Sequence, residues 1–157
     1  MGETFKRRSI FHWLRKFHAG ISFLQETHST TESEKIWRSE WGANIIFSHG
    51  TSNSRGVAIL FPNNLDYVIQ KEINDSNGRY LILDTLIDNT RFILVNVYAP
   101  TKNHEKDQLV FLESLYEKIS EFSGENIIIW GDLNTILEPK DKKGGNILQD
   151  RKSTRLN

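Results

Sequence analysis

The sequence predicts a layered α/β sandwich, and three observations carry that prediction. Apolar runs of strand length, rich in Ile, Val, Leu and Phe, recur along the chain and several are joined by turn pairs. Stretches with helical spacing of apolar residues sit before and between them. One run, Ile127 to Trp130, is apolar without alternation and flows into Gly131-Asp132-Leu133-Asn134. It reads as a central strand buried on both faces of a sheet. Strands in antiparallel pairs with helices packed on a face make a layered architecture.

Taken in order, Phe5 to Phe17 carries Ile10, Trp13, Leu14 and Phe17 at helical spacing with basic residues between them, an amphipathic helix that Ala19-Gly20 ends. Ile21 to Gln25 is a short buried strand running straight into Glu26. Thr31 is placed to cap a second helix, with Glu34 completing a capping box. That helix reaches about Trp41, and Gly42 closes it. Asn44 to Ser48 is the next strand. A polar loop, His49 to Arg55, precedes the strand Gly56 to Phe61, which Pro62 stops. Leu65 to Ile73, Arg79 to Ile87 and Arg91 to Tyr98 form an antiparallel meander, linked by Asn77-Gly78 and Asp88-Asn89. Asn103 caps a long helix with a stripe of Leu109, Leu112, Leu115, Tyr116, Ile119 and Phe122, and Gly124 terminates it. After Pro139 the sequence turns basic and loses apolar periodicity. No internal repeat and no domain boundary is visible.

The 157 residues suit one domain with its own core. A content of 38% hydrophobic and 25% charged residues is that of an ordinary globular chain, and no apolar run is long enough to span a bilayer. No secretory signal is visible, so a nuclear or cytoplasmic, intracellular location is expected. There is no cysteine, so any metal must take oxygen or histidine ligands. Lys+Arg and Asp+Glu are both 20, and bulk charge therefore does not announce a nucleic-acid partner. Basic residues do gather at both ends: Lys6, Arg7, Arg8, Arg15 and Lys16, then Lys140, Lys142, Lys143, Arg151, Lys152 and Arg155. Such clusters meet phosphates or form a solvated face.

Three strand ends carry polar groups that a core does not need: Gln25-Glu26-Thr27-His28, Asn96-x-Tyr98 and Asp132-x-Asn134. On an extended segment Asp132 and Asn134 point the same way and Leu133 points to the core. The plainer reading of Asp-x-Asn is a turn, of Glu26 a solvated loop acid, and of Tyr98 an edge aromatic. If the three strands share a sheet, the groups converge where α/β sheets place ligands, and the set suits phosphodiester hydrolysis. Glu26 supplies a carboxylate for a hard cation such as Mg²⁺. Tyr98 donates to a phosphate oxygen, Asp132 orients or deprotonates water, and Asn134 donates to the pentacovalent oxygens.

LQETH at Leu24 to His28, SRGVAIL at Ser54 to Leu60, GRYLIL at Gly78 to Leu83, NVYAP at Asn96 to Pro100 and GDLN at Gly131 to Asn134 occur in this order. Together they resemble the endonuclease/exonuclease/phosphatase superfamily. Within it the chain is most similar to the endonuclease domain of non-LTR (LINE-type) retrotransposons, through the N-terminal RRxIFxWL helix, QETHST and the late Gly144-Gly145 stretch. The resemblance covers about Lys6 to Asn146. It implies a four-layer α/β sandwich, with two sheets inside and helices outside. It also implies Glu26 as the metal-binding glutamate, with Mg²⁺ (or Mn²⁺) as cofactor, and Tyr98 as the phosphate-contacting tyrosine. Asp132 becomes the aspartate that aligns the attacking water and Asn134 its transition-state partner. The implied partner is the phosphate backbone of DNA, with no membrane association; oligomeric state is not implied.

The family pattern has two parts without a counterpart here. Only MGET precedes Phe5, where the family places a strand bearing an active-site asparagine, and no Asp-His dipeptide occurs in the chain. On this reading residues 5–147 form a partial domain lacking its first strand and C-terminal half. Residues 148–157 are a tail foreign to the family. The expectation is a fragment of a metal-dependent DNA endonuclease, impaired in catalysis and inactive as written. The alternatives are a phosphatase of the same superfamily and a non-catalytic remnant that binds nucleic acid through its basic ends.

Overall fold

A computed structural model describes residues 2–101, 105–122 and 124–134. Its elements are α1 (Gly2–Lys16), β1 (Ser22–Gln25), a 3-10 turn (Thr31–Ser33), α2 (Glu34–Trp41), β2 (Ile45–Ser48), β3 (Val57–Leu60), β4 (Tyr67–Asn74), β5 (Tyr80–Ile87), β6 (Thr90–Tyr98), α3 (Glu105–Ser120) and β7 (Asn126–Asp132). The strands form two sheets, ordered β1-β3-β2 and β4-β5-β6-β7, antiparallel except for the parallel pair β6 and β7 that flanks α3. The expected capping residue Asn103, the C-terminal basic cluster, the Gly144-Gly145 stretch and the tail 148–157 lie outside the described residues.

Alternation along the strands sorts the apolar side chains into three cores and so builds four layers. Ala58 and Leu60 of β3 face Phe11 and Leu14 of α1 and Trp37 and Trp41 of α2. Val57 and Ile59 face the other way, onto Leu81, Leu83 and Leu94 of the second sheet. Tyr80, Ile82, Ile93, Val95 and Val97 line the outer face of that sheet, against Leu115 and Phe122. The order is thus α1 and α2, first sheet, second sheet, α3. This is the four-layer sandwich that the family resemblance implies.

The meander is present as read. Its β5–β6 link, Asp88-Asn89, has φ of 48° and 61°, the two left-handed residues of a tight hairpin turn. Gly42 closes α2 at φ 78°, its N–H bonded to the Arg38 carbonyl. The cap of that helical segment is Thr30, not Thr31. Its N–H bonds Ser33 Oγ at 2.9 Å, because a 3-10 turn precedes the α-helix and moves the reciprocal position to Ser33.

Two helix faces are rotated from the expected ones. On α1 the buried side is Ile10, Phe11 and Leu14, while Trp13 (57% exposed) and Phe17 (60%) stack on each other in solvent. On α3 the packed side is Phe111, Leu115 and Ile119, whereas Leu109 and Tyr116 are exposed. In both cases apolar residues exceed what one stripe holds, and docking against a sheet selects among them.

The central-strand reading of Ile127 to Trp130 is corrected. β7 pairs only with β6, and among the described residues nothing pairs with its other edge. Ile128, Ile129 and Trp130 (63%) are therefore exposed. Gly131 stays in the strand opposite Val97, at φ 142°, where any β-carbon would collide with the Val97 backbone. No helix among the described residues is long and apolar enough to cross a membrane.

Candidate active site

The predicted acidic and phenolic residues stand at the carboxyl ends of strands, but not of one sheet. β1 belongs to the first sheet, β6 and β7 to the second. Convergence comes from the stacking of the sheets. Phe92, Leu94 and Tyr98 of β6 pack between them, and Asn96 shares that parity. Asn96 is fully buried and joins the layers: Gln25 Nε2 donates to its Oδ1 (2.7 Å), and its Nδ2 donates to the carbonyls of Leu24 (3.0 Å) and Ala58 (2.9 Å). Two residues on, Tyr98 reaches the rim, and its hydroxyl donates to Glu26 Oε1. Tyr98 and Asp132 are register partners on adjacent strands. Glu26, Tyr98 and Asp132 line one cleft of about 630 Å³, with Gln25, Thr27 and His28 beside Glu26 and with Lys6, Arg7 and Phe11 of α1 on another wall.

The carboxylate beside Tyr98 has a definite electrostatic effect. The hydrogen bond to Glu26, then burial, then the charges of Glu26 and Asp132 push the phenol up to about 12. Tyr98 therefore keeps its proton at neutral pH and remains a donor. Its ring is backed by the Arg79 guanidinium, 5.6 Å from the centroid, which also donates to the Tyr98 carbonyl (3.3 Å). Burial, then the neighbouring charge of Arg55, draw Arg79 below its ordinary value.

Asp132-x-Asn134 takes the turn form, not the extended one. Asn134 has φ 51°, its N–H bonds Asp132 Oδ1 (2.8 Å), and its Nδ2 donates to the Ala99 carbonyl (2.7 Å). Leu133 is 37% exposed rather than in the core. Asn134 is not among the residues that line the cleft. The structure thus brings Glu26, Tyr98 and Asp132 together and engages Asn134 in holding the β7 exit against the loop after β6.

A cation site built from this set has one carboxylate, Glu26, with Asp132 lining the same cleft. Both residues are exposed, and among the described residues no cluster of three or more His, Asp or Glu exists. That donor set fits a hard, hydrated divalent ion, which takes one or two carboxylates and completes its shell with water and substrate phosphate.

The N-terminal basic residues are largely spoken for within the fold. Arg7 and Arg8 pair with Glu40 at 2.6 and 2.8 Å, and Arg15 donates to the Glu40 and Trp41 carbonyls at the end of α2. Sequence reading placed Gln25 and Asn96 at polar strand ends without a role as organisers of the site, and it missed Arg79. The bond between Gln25 and Asn96 joins positions 71 apart in the chain, so no local pattern shows it.

A family model described as "Endonuclease/Exonuclease/phosphatase family" matches residues 2–154. The "Transposon TX1 uncharacterized 149 kDa protein" of Xenopus laevis is 35% identical over 141 residues, which are 89% of this chain and 11% of that protein. Among solved structures, Danio rerio TDP2 complexed with single-strand DNA product superposes with TM-score 0.67 at 16% identity, covering 87% of this chain and 56% of that one. An AP endonuclease from Archaeoglobus fulgidus gives 0.62 at 22% identity, covering 86% and 55%. The chain therefore spans about half the length of the solved structures it matches, and those likenesses concern the fold.

Proposed function

The chain belongs to the endonuclease/exonuclease/phosphatase family, and from that premise we propose that it is part of a metal-dependent DNA endonuclease of a LINE-type retroelement, which nicks the phosphodiester backbone. The observation that carries the reading is the meeting of Glu26, Tyr98 and Asp132 in one cleft, from strand ends of two different sheets. The 35% identity to a transposon protein favours DNA over a soluble phosphomonoester as the substrate.

Glu26 is the residue to hold the cation, which when bound neutralises charge on the scissile phosphate. Tyr98, kept protonated, turns its hydroxyl from Glu26 to a non-bridging oxygen once the carboxylate is engaged elsewhere. Asp132, exposed at the cleft wall, aligns a water and accepts its proton. Asn134 is the proposed donor to the transition state; in that role it exchanges its bond to Ala99 for the phosphate. No Asp-His dipeptide stands in this sequence to complete the set that the family uses. We infer that these 157 residues alone are catalytically impaired.

The test is relaxation of supercoiled plasmid by the chain in excess, with Mg²⁺ or Mn²⁺. Slow nicking that EDTA, Glu26→Gln and Asp132→Ala each abolish is the expected result. Nicking indifferent to Asp132→Ala overturns the assignment. Hydrolysis of soluble phosphomonoesters in place of nicking favours the phosphatase reading. Salt-sensitive DNA binding without cleavage favours a non-catalytic nucleic-acid-binding remnant.

A further inference from the structure

Behind the Glu26 turn runs a file of hydrogen bonds that the proposed chemistry does not use. Thr27 Oγ1 lies 2.9 Å from Ser29 Oγ, Ser29 Oγ 3.0 Å from His49 Nδ1, and His49 Nε2 2.8 Å from Glu34 Oε1. Burial pushes the Glu34 carboxyl up, but the bonds from His49 and Arg38 outweigh it and hold it below the usual range. A ring hydrogen on Nε2 suits the Glu34 carboxylate, and in that tautomer Nδ1 accepts from Ser29. A carboxylate, an imidazole and a hydroxyl in this order are the wiring of an activated serine. Burial rules that use out here, because Ser29 is 0% exposed and no reacting atom reaches its oxygen.

The file acts on the backbone instead. Glu26 and His28 sit at φ 51° and 50°, left-handed for residues with a β-carbon. Such a backbone is strained and persists only where its surroundings enforce it. The amide of Thr27 is held by the Gly56 carbonyl (3.0 Å) and that of His28 by the Arg55 carbonyl (2.9 Å). The Thr27 side chain, between the two left-handed residues, is held by the hydroxyl and amide of Ser29 and, through that hydroxyl, by His49. His49 is in turn anchored: its ring stacks on Phe47 at 5.1 Å, and Glu34 is gripped by Arg38 Nη2 (3.1 Å). The turn that presents Glu26 is thereby tied to the first turn of α2.

We propose that His49, acting through Ser29 and Thr27, is a positioning residue that presets the Glu26 carboxylate for a divalent cation. The proposal rests on the reading of Glu26 as the cation ligand. His49 touches neither cation nor substrate; it removes the freedom of the turn that carries the ligand, as residues behind metal ligands commonly do.

The experiment is a Mn²⁺ titration of the full 157-residue chain, with free Mn²⁺ read by electron paramagnetic resonance, for wild type, Glu26→Gln, His49→Ala and Ser29→Ala. Circular dichroism and a melting curve are recorded for each. The expected result is Mn²⁺ binding weakened by about fivefold or more in all three variants, with folded spectra. If Glu26→Gln weakens binding while folded His49→Ala and Ser29→Ala bind within twofold of wild type, the positioning role is overturned and the site stands. Lowered melting with an unchanged Mn²⁺ constant in those two variants overturns it in the same way. If Glu26→Gln binds like wild type, the ligand assignment falls and this proposal with it. Should His49→Ala not fold, Ser29→Ala, which deletes one hydroxyl, decides the question by the same criterion.

Discussion

Replacing Asn96 by alanine tests the claim that this one amide joins the two sheets on which the site depends. The native side chain is fully buried and engaged in three hydrogen bonds: one from Gln25 and two to the carbonyls of Leu24 and Ala58. Truncation removes those bonds and leaves partners facing a methyl group in a dry interlayer. A lost buried bond whose partner stays unsatisfied costs about 1–3 kcal/mol. Three such losses, partly relieved by relaxation, come to about 3–5 kcal/mol. For a chain of this size that is a fall in melting temperature on the order of 10–15 °C. Urea denaturation followed by tryptophan fluorescence gives the difference directly, with Trp37 and Trp41 as buried reporters. Asn96→Asp separates hydrogen bonding from volume. It keeps the shape but turns the donor aimed at two carbonyls into a second acceptor, so it should destabilise at least as much at neutral pH. A change below about 1 kcal/mol for either variant refutes the role given to Asn96.

Three further outcomes follow from the same structure. Asp84 is held below the usual carboxylate range chiefly by Arg91, whose Nε and Nη2 sit 2.9 and 2.8 Å from its oxygens. Its folded value lies under the unfolded one of about 3.9, so its stabilisation is present above that pH and fades as pH falls through the folded value. Asp84→Asn should therefore cost about 1 kcal/mol at pH 7, allowing for solvent around Arg91, and the gap from wild type in urea midpoints should narrow as pH falls below the usual carboxylate range. Gly56→Ala places a β-carbon against the Thr27 side chain at φ 92°. It should lower stability by more than about 1 kcal/mol and weaken Mn²⁺ binding, both measurable on one sample. Tyr98→Phe removes the donor that the Glu26 carboxylate meets. Nicking should drop about tenfold or more, with the melting temperature within a few degrees of wild type; unchanged nicking removes Tyr98 from the site.

Much of the fold was legible because it is written in local signals. The meander follows from Asn77-Gly78 and Asp88-Asn89, whose backbone freedom makes the turns, and α2 ends where Gly42 takes a left-handed conformation. The rest was hidden because it depends on what each element meets. Trp13 and Phe111 are both helical and apolar, yet one lies in solvent and the other against Tyr80. Nothing near either residue distinguishes them. Ile127 to Trp130 read as central because apolarity measures a strand's capacity for burial, not the presence of a neighbour. Asp132-x-Asn134 read either as a turn or as two parallel side chains, and the backbone closed the turn on Asp132 Oδ1.

From the sequence alone came the alternation that makes layers, the turn chemistry that orders the meander, and the identities of Glu26, Tyr98 and Asp132 as groups out of place in a core. Tertiary structure decided that these groups meet across two sheets instead of along one, that Asn96 is the bolt between the layers, and that His49 stands behind the Glu26 turn. The physical reason is the range of the interactions. Periodicity and turns are set by neighbours a few residues apart, whereas a hydrogen bond between Tyr98 and Glu26, 72 positions apart, exists only once the intervening chain has folded back.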